Sequence, residues 1–146
     1  MTIASKKRKR ERGFTLVELL VVLAILGFLA AMAVPQLMKT LDRAKVDTAK
    51  LQIEKLDSIL DLYRLQIGRY PTEQEGLLAL VEAPAGSDRW DGPYLKNPEA
   101  LTDPWGNSYH YRFPGEHGEY DLYSLGADAK NGGEGSNADI ASWSSK

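Results

Sequence analysis

Gly13-Phe14-Thr15-Leu16-Val17-Glu18 opens a run that stays almost wholly apolar to Val34, just before Pro35. Residues 14–34 make 21 positions, enough to cross a bilayer at ~20 residues per span. Glu18 is the one carboxylate in that run. An acid at mid-membrane costs roughly 2.5 to 3.5 kcal/mol on insertion scales, so a partner is expected and Glu18 is the first functional candidate. Ahead of the run lies a basic leader, Lys6-Lys7-Arg8-Lys9-Arg10-Glu11-Arg12, ending at Gly13. Basic residues on that side predict a cytoplasmic leader, residues 1–13, and an exported C-terminal body. A secretory signal peptide cut near Ala31-Met32-Ala33 is one alternative, but its apolar core is normally about 7 to 15 residues. A plain uncleaved anchor fits the length and leaves Glu18 unexplained.

The chain has 146 residues and a net charge of −2, which conceals an asymmetry. Without residues 1–13 it holds 12 basic and 19 acidic residues. So acidic a body argues against nucleic-acid binding, which rests on phosphate neutralisation by Lys and Arg. The chain has no cysteine, so an exported domain is held by something other than disulfides, and a bound metal is a reasonable substitute. No H-E-x-x-H, G-x-S-x-G or phosphate-binding glycine pattern occurs, and His110 and His117 read as a strand-face and a turn residue. The expectation is a protein that is not an enzyme.

Beyond Pro35 the helical pattern continues. Ala49, Ile53, Leu56, Leu60, Tyr63 and Ile67 form one apolar stripe at spacings of four and three, with Lys50, Glu54, Lys55, Asp57, Asp61 and Arg64 between them as a solvated face. Span and amphipathic stretch therefore read as one helix over 14–66, kinked or locally melted near Pro35, where the ring clashes with the Ala31 carbonyl. Gly68 supplies the stop. Thr72 and Glu75 have the spacing of a capping box for a short helix through Val81. Residues 83–107, rich in Pro, Gly and Asp, read as a long ordered loop pinned by Trp90, Tyr94 and Trp105. Residues 108–113 and 119–124 alternate around turn material at 114–118, predicting an antiparallel hairpin laid on the helix stripe.

Residues 125–140 set Asp128, Asn131, Glu134, Asn137 and Asp139 among glycines. Hard oxygen donors and inward-turned carbonyls suit calcium, which takes six to eight oxygens at ~2.3 to 2.6 Å. The pattern is not the twelve-residue loop of helix-loop-helix calcium sites, and a solvated polar loop is the other reading.

Gly13-Phe14-Thr15-Leu16-Val17-Glu18 resembles the processing site of type IV pilin-like proteins. Gly68-Arg69-Tyr70-Pro71-Thr72, Trp90-Asp91-Gly92-Pro93-Tyr94-Leu95, Asp103-Pro104-Trp105-Gly106 and Tyr123-Ser124-Leu125-Gly126-Ala127-Asp128 are similar to the major pseudopilins of type II secretion systems. The resemblance spans nearly the whole chain after residue 12. It implies an α+β, type IV pilin-like fold: a cytoplasmic leader (1–13), a transmembrane and filament-core helix (14–38), and a periplasmic head (39–146). That head packs the amphipathic half of the helix on a small antiparallel sheet.

The resemblance further implies cleavage between Gly13 and Phe14 by a prepilin peptidase and N-methylation of Phe14. Glu18 would set axial register against the Phe14 amine of an adjacent copy. A structural subunit is implied, polymerising with itself from the inner membrane on an assembly platform, together with minor pseudopilins, to export folded proteins. Calcium is implied in the C-terminal loop, through Asp128, Asp139 and carbonyls of Leu125 and near Lys130 and Ser136. Some members have paired aspartates where this chain has Ala138-Asp139, and Asn137 is the substitute ligand. Contacts between charged helix faces, such as Arg43 with Asp57 or Asp61, are expected between copies. A surface pilus subunit and a membrane-anchored calcium-dependent domain are the rival readings.

Overall fold

The computed structural model describes residues 13–145. Apart from Gly13, the basic leader expected over 1–13 lies outside them. The chain divides into two compact units at Met38 and Lys39. One helix, α1, runs Leu16–Ile67.

In the first unit α1 carries an 18-residue window of mean hydropathy 2.7, long and apolar enough to cross a membrane. Its residues from 16 to 38 are all exposed, as a lipid-facing or polymer-facing segment would be. Pro35 lies inside the helix and does not interrupt it, contrary to the expected local melting. Proline removes one donor, and helix on both sides tolerates that loss where it does not tolerate a fresh nucleation.

In the second unit the predicted stripe is the core side of α1: Ala49, Ile53, Leu56, Leu60 and Tyr63 are buried. The helix ends where Gly68 turns to φ 91° and donates its N–H to the Arg64 carbonyl at 2.7 Å. Thr72 and Glu75 form their capping box, Thr72 N–H to Glu75 Oε2 at 2.8 Å and Glu75 N–H to Thr72 Oγ1 at 3.3 Å. The α-helix expected after it does not form. Gly76, at φ 56° and ψ −163°, takes the chain out of the helical region, and Leu77–Leu80 continues as a 3-10 helix.

The sheet has three antiparallel strands in the order β1 (His110–Arg112), β2 (Asp121–Ser124), β3 (Ile140–Ala141). His110 faces Tyr123 and Arg112 faces Asp121 across the predicted hairpin, while Tyr123 faces Ala141 and Ser124 faces Ile140. Leu122 and Ile140 enter the core with Tyr70, Leu77, Leu80, Leu95 and Tyr109. Each fully buried Leu or Ile contributes about 1.5 to 3 kcal/mol.

The loop over 83–107 is ordered by hydrogen bonds to the 3-10 helix. Trp90 Nε1 donates to the Ala79 carbonyl at 2.9 Å, and the Tyr94 and Leu95 N–H groups both donate to Leu80 at 2.9 Å. Trp105 is half-buried against the same core.

The face of α1 expected to be solvated is partly tied to the head. Tyr120 donates its hydroxyl to Asp57 Oδ1, Tyr70 donates to Asp61 Oδ1 at 2.8 Å, and Arg64 pairs with Glu119 at 2.6 Å. Burial, together with Asp57, pushes the Tyr120 hydroxyl well above its ordinary pKa, so it stays a donor. Within one chain, Asp57 therefore ties α1 to the residue just ahead of β2, and Asp61 ties it to the segment that follows the helix.

Candidate functional site

Gly13 and Phe14 lie ahead of α1, with Phe14 83% exposed. A Cβ added at Gly13 would meet nothing within 4 Å. The fold imposes no need for glycine there, so any such need belongs to whatever reads the segment.

Glu18 is better provided for than its apolar surroundings suggest. Its Oε2 accepts the Thr15 N–H and the Thr15 hydroxyl, both at 3.1 Å, while the Glu18 N–H donates to Thr15 Oγ1 at 3.2 Å. This is a reciprocal capping box, and it starts the helix at Leu16, two residues later than the hydropathy reading. The carboxylate also sits in the first turn, where the helix dipole favours negative charge. Oε1 keeps its lone pairs for another donor. The spacing that reveals the box, Thr15 followed three residues on by Glu18, is the same spacing that was legible at Thr72 and Glu75.

The C-terminal loop, residues 125–139, is clamped at both ends because β2 and β3 pair directly. Gly126 is its crossing point. At φ 69° it approaches the returning chain so closely that a Cβ would lie 2.8 Å from the Ser136 carbonyl oxygen and 2.9 Å from that of Ala138. The Ala127 N–H donates to the Ser136 carbonyl at 2.9 Å. Asp128 Oδ1 accepts the Lys130 N–H at 3.2 Å, and Asp139 Oδ2 accepts the Gly132 N–H at 3.0 Å. Both carboxylates are exposed and each retains a second oxygen.

The sequence-predicted donors are thus carried on one closed loop. Among the described residues no three His, Cys, Asp or Glu side chains converge on a point. The donor set expected from the sequence is two carboxylates, the Asn137 amide and the carbonyls of Leu125, Lys130 and Ser136. Such an oxygen-only set suits a hard cation, not zinc or copper.

Sequence reasoning passed over Asp103, which is 4% exposed. Its Oδ1 accepts the N–H groups of Trp105 at 3.1 Å and Asn107 at 2.8 Å, and its Oδ2 accepts the Ser124 hydroxyl at 2.6 Å. Ser124 Oγ in turn accepts the Gly126 N–H at 3.1 Å, and Asn107 Nδ2 donates to the Gly126 carbonyl at 3.3 Å.

The model of the family "Type II secretion system (T2SS), protein G" matches residues 36–143. The chain belongs to the type II secretion protein G family, the major pseudopilins. A prokaryotic N-terminal methylation motif matches residues 8–34, which covers Gly13, Phe14 and Glu18. The chain is 49% identical to type II secretion system core protein G of Pseudomonas aeruginosa, over 94% of this chain and 98% of that protein. Against the Vibrio cholerae core protein G the identity is 43%, covering 94% and 95%.

The crystal structure of the major pseudopilin from the type 2 secretion system of enterohaemorrhagic Escherichia coli superposes with a TM-score of 0.60 at 36% identity. That match covers 75% of this chain and 96% of that one. Long N-terminal helix and small antiparallel sheet are accordingly the type IV pilin-like fold of pseudopilins. Membership of the protein G family places the chain among the components that assemble the type II secretion pseudopilus.

Proposed function

We propose that this pseudopilin is the major structural subunit of the filament, with no catalytic role of its own. It polymerises from the inner membrane to drive folded proteins across the outer membrane. A prepilin peptidase cuts between Gly13 and Phe14 and methylates the new Phe14 amine. The head stands in the periplasm, and growth proceeds on an inner-membrane assembly platform with minor pseudopilins. The single observation that supports this most directly is the first turn of α1: a carboxylate four residues from the cleavage point, half engaged by Thr15, with Oε1 ready for a cation. In low dielectric a charge gains most from a counter-charge brought beside it. The Phe14 amine of an adjacent copy is such a partner, available only on assembly, and the pairing sets axial register.

Asp128, Asp139, Asn137 and the carbonyls of Leu125, Lys130 and Ser136 would hold a calcium ion. It would supply the charge that draws those oxygens together in a chain without disulfides. Ser136 would offer its remaining lone pair, since its carbonyl already accepts the Ala127 N–H.

The test is Glu18→Ala. The variant inserts and folds its head, because the residue lies outside the second unit, yet electron microscopy of overproducing membranes finds no filaments. Filaments of normal length and number would overturn the register mechanism.

A further inference from the structure

We propose that Asp103 is the positioning residue of the C-terminal loop, acting through Ser124 and beside Asn107 to fix Gly126 before any cation arrives. The inference rests on the calcium reading above.

The turn at 103–107 closes without help from Ser124. The Asp103 N–H donates to the Asn107 carbonyl at 2.7 Å, the Gly106 N–H donates to the Asp103 carbonyl at 3.0 Å, and Oδ1 takes two further N–H groups. Oδ2 is therefore spare for the turn itself, and it is spent on the 0% exposed Ser124. A serine hydroxyl donates one proton and can accept in return. By donating to Asp103, Ser124 must present its lone pairs to Gly126, which fixes the direction of the relay: Gly126 N–H to Ser124 Oγ, Ser124 hydroxyl to Asp103 Oδ2.

Asn107 holds the other side of the same residue through the Gly126 carbonyl. Gly126 is thus gripped at both its N–H and its carbonyl, at a position with no room for a side chain, against residues 136–138. Two proposed donors flank that point: Leu125 precedes it, and Ser136 is joined to Ala127 directly after it. Preorganising donors removes ordering cost from the binding step. A loop held this way should bind a cation more tightly than the same loop left to close around it.

The experiment uses full-length protein in detergent, as wild type, Ser124→Ala and Asn107→Ala. Amide exchange is read in chelator without calcium, and calcium chloride is then titrated calorimetrically. Each variant should raise exchange at Gly126 and Ala127 by about tenfold, the worth of a lost hydrogen bond. Amides of Leu56, Leu60 and Leu122 should keep wild-type protection, and calcium affinity should fall by a similar factor.

Asn107→Ala guards against misfolding of Ser124→Ala, since Asn107 is only half-buried. Wild-type exchange and affinity in both variants would overturn the proposal. So would faster exchange spread evenly through the head, which marks a general loss of stability. A wild type that takes up no calcium would remove the calcium reading and, with it, only the affinity arm of this inference. The exchange arm would still report whether the relay orders the loop.

Discussion

Gly13 shows why a residue can matter without mattering to the fold. Open space surrounds its missing side chain, so Gly13→Leu is expected to leave the head's melting temperature unchanged while blocking processing. Mass spectrometry should find the unmethylated precursor of full length, and a Phe14 N-terminus in that variant would contradict the assignment. Asp128 is the contrasting case, a residue expected to matter only with its ligand. Among the described residues its carboxylate accepts one exposed hydrogen bond, from the Lys130 N–H, so Asp128→Ala should melt within ~1 °C of wild type in chelator. In excess calcium the wild type should gain several degrees and the variant little, since ligand binding stabilises in proportion to RT ln(1 + [L]/Kd). Equal gains would remove Asp128 from the ligand set.

The elements repeat one device, a capping box, with two outcomes. At Thr15 and Glu18 it launches a helix of 52 residues. At Thr72 and Glu75 it launches only a turn, because Gly76 follows. Arg69, bonded to Glu75 through both terminal guanidinium nitrogens at 2.7 and 2.8 Å, pulls the Glu75 pKa down to about 2, against the opposing effect of burial and with help from the Thr72 N–H. A carboxylate with a depressed folded pKa contributes stability above its unfolded value, and loses it as pH falls through the folded value.

Resistance to urea should therefore fall from about pH 4.5 toward pH 2. Glu75→Gln should cost about 1 to 2 kcal/mol at pH 7, discounted for the exposure of Arg69, and the deficit should shrink as pH approaches 2. An undiminished deficit at pH 2 would place its cause in packing instead of charge.

The same elements show what the sequence could carry. The core stripe of α1 was legible because its period repeats over many residues, and the β1–β2 hairpin because two β-prone stretches flank the turn residues at 114–118. β3, two residues long, offers no period to read and exists only because β2 already stands beside it. The relay from Asp103 joins positions 21 residues apart, and no local spacing announces it. Its neighbours in Asp103-Pro104-Trp105-Gly106 were visible as a resemblance, without the reason for the aspartate.

On the scale of the whole molecule, what matters is how a chain with two kinds of apolar surface avoids wasting either. Within the head, the side of α1 opposite the core is itself apolar: Leu51, Leu62 and Leu65 are 65%, 44% and 82% exposed. Two hydroxyls on that side are already satisfied, Thr48 Oγ1 donating to the Ala44 carbonyl at 2.7 Å and Ser58 Oγ to the Glu54 carbonyl at 3.0 Å. They therefore present carbon outward. Charged residues of both signs border this face, Asp47, Lys50 and Glu54 along one margin and Lys55 along the other. Copies side by side in a polymer can set acid against base along such an edge. The double variant Leu62→Asp, Leu65→Asp should then keep the wild-type melting temperature, because neither side chain enters the core. Filament yield should fall by about tenfold or more, as expected when two leucines lose their burial at a contact. Quantitative imaging of sheared filaments beside the wild type reads the difference. Unchanged yield would confine the polymer contacts to other surfaces and leave this face to solvent.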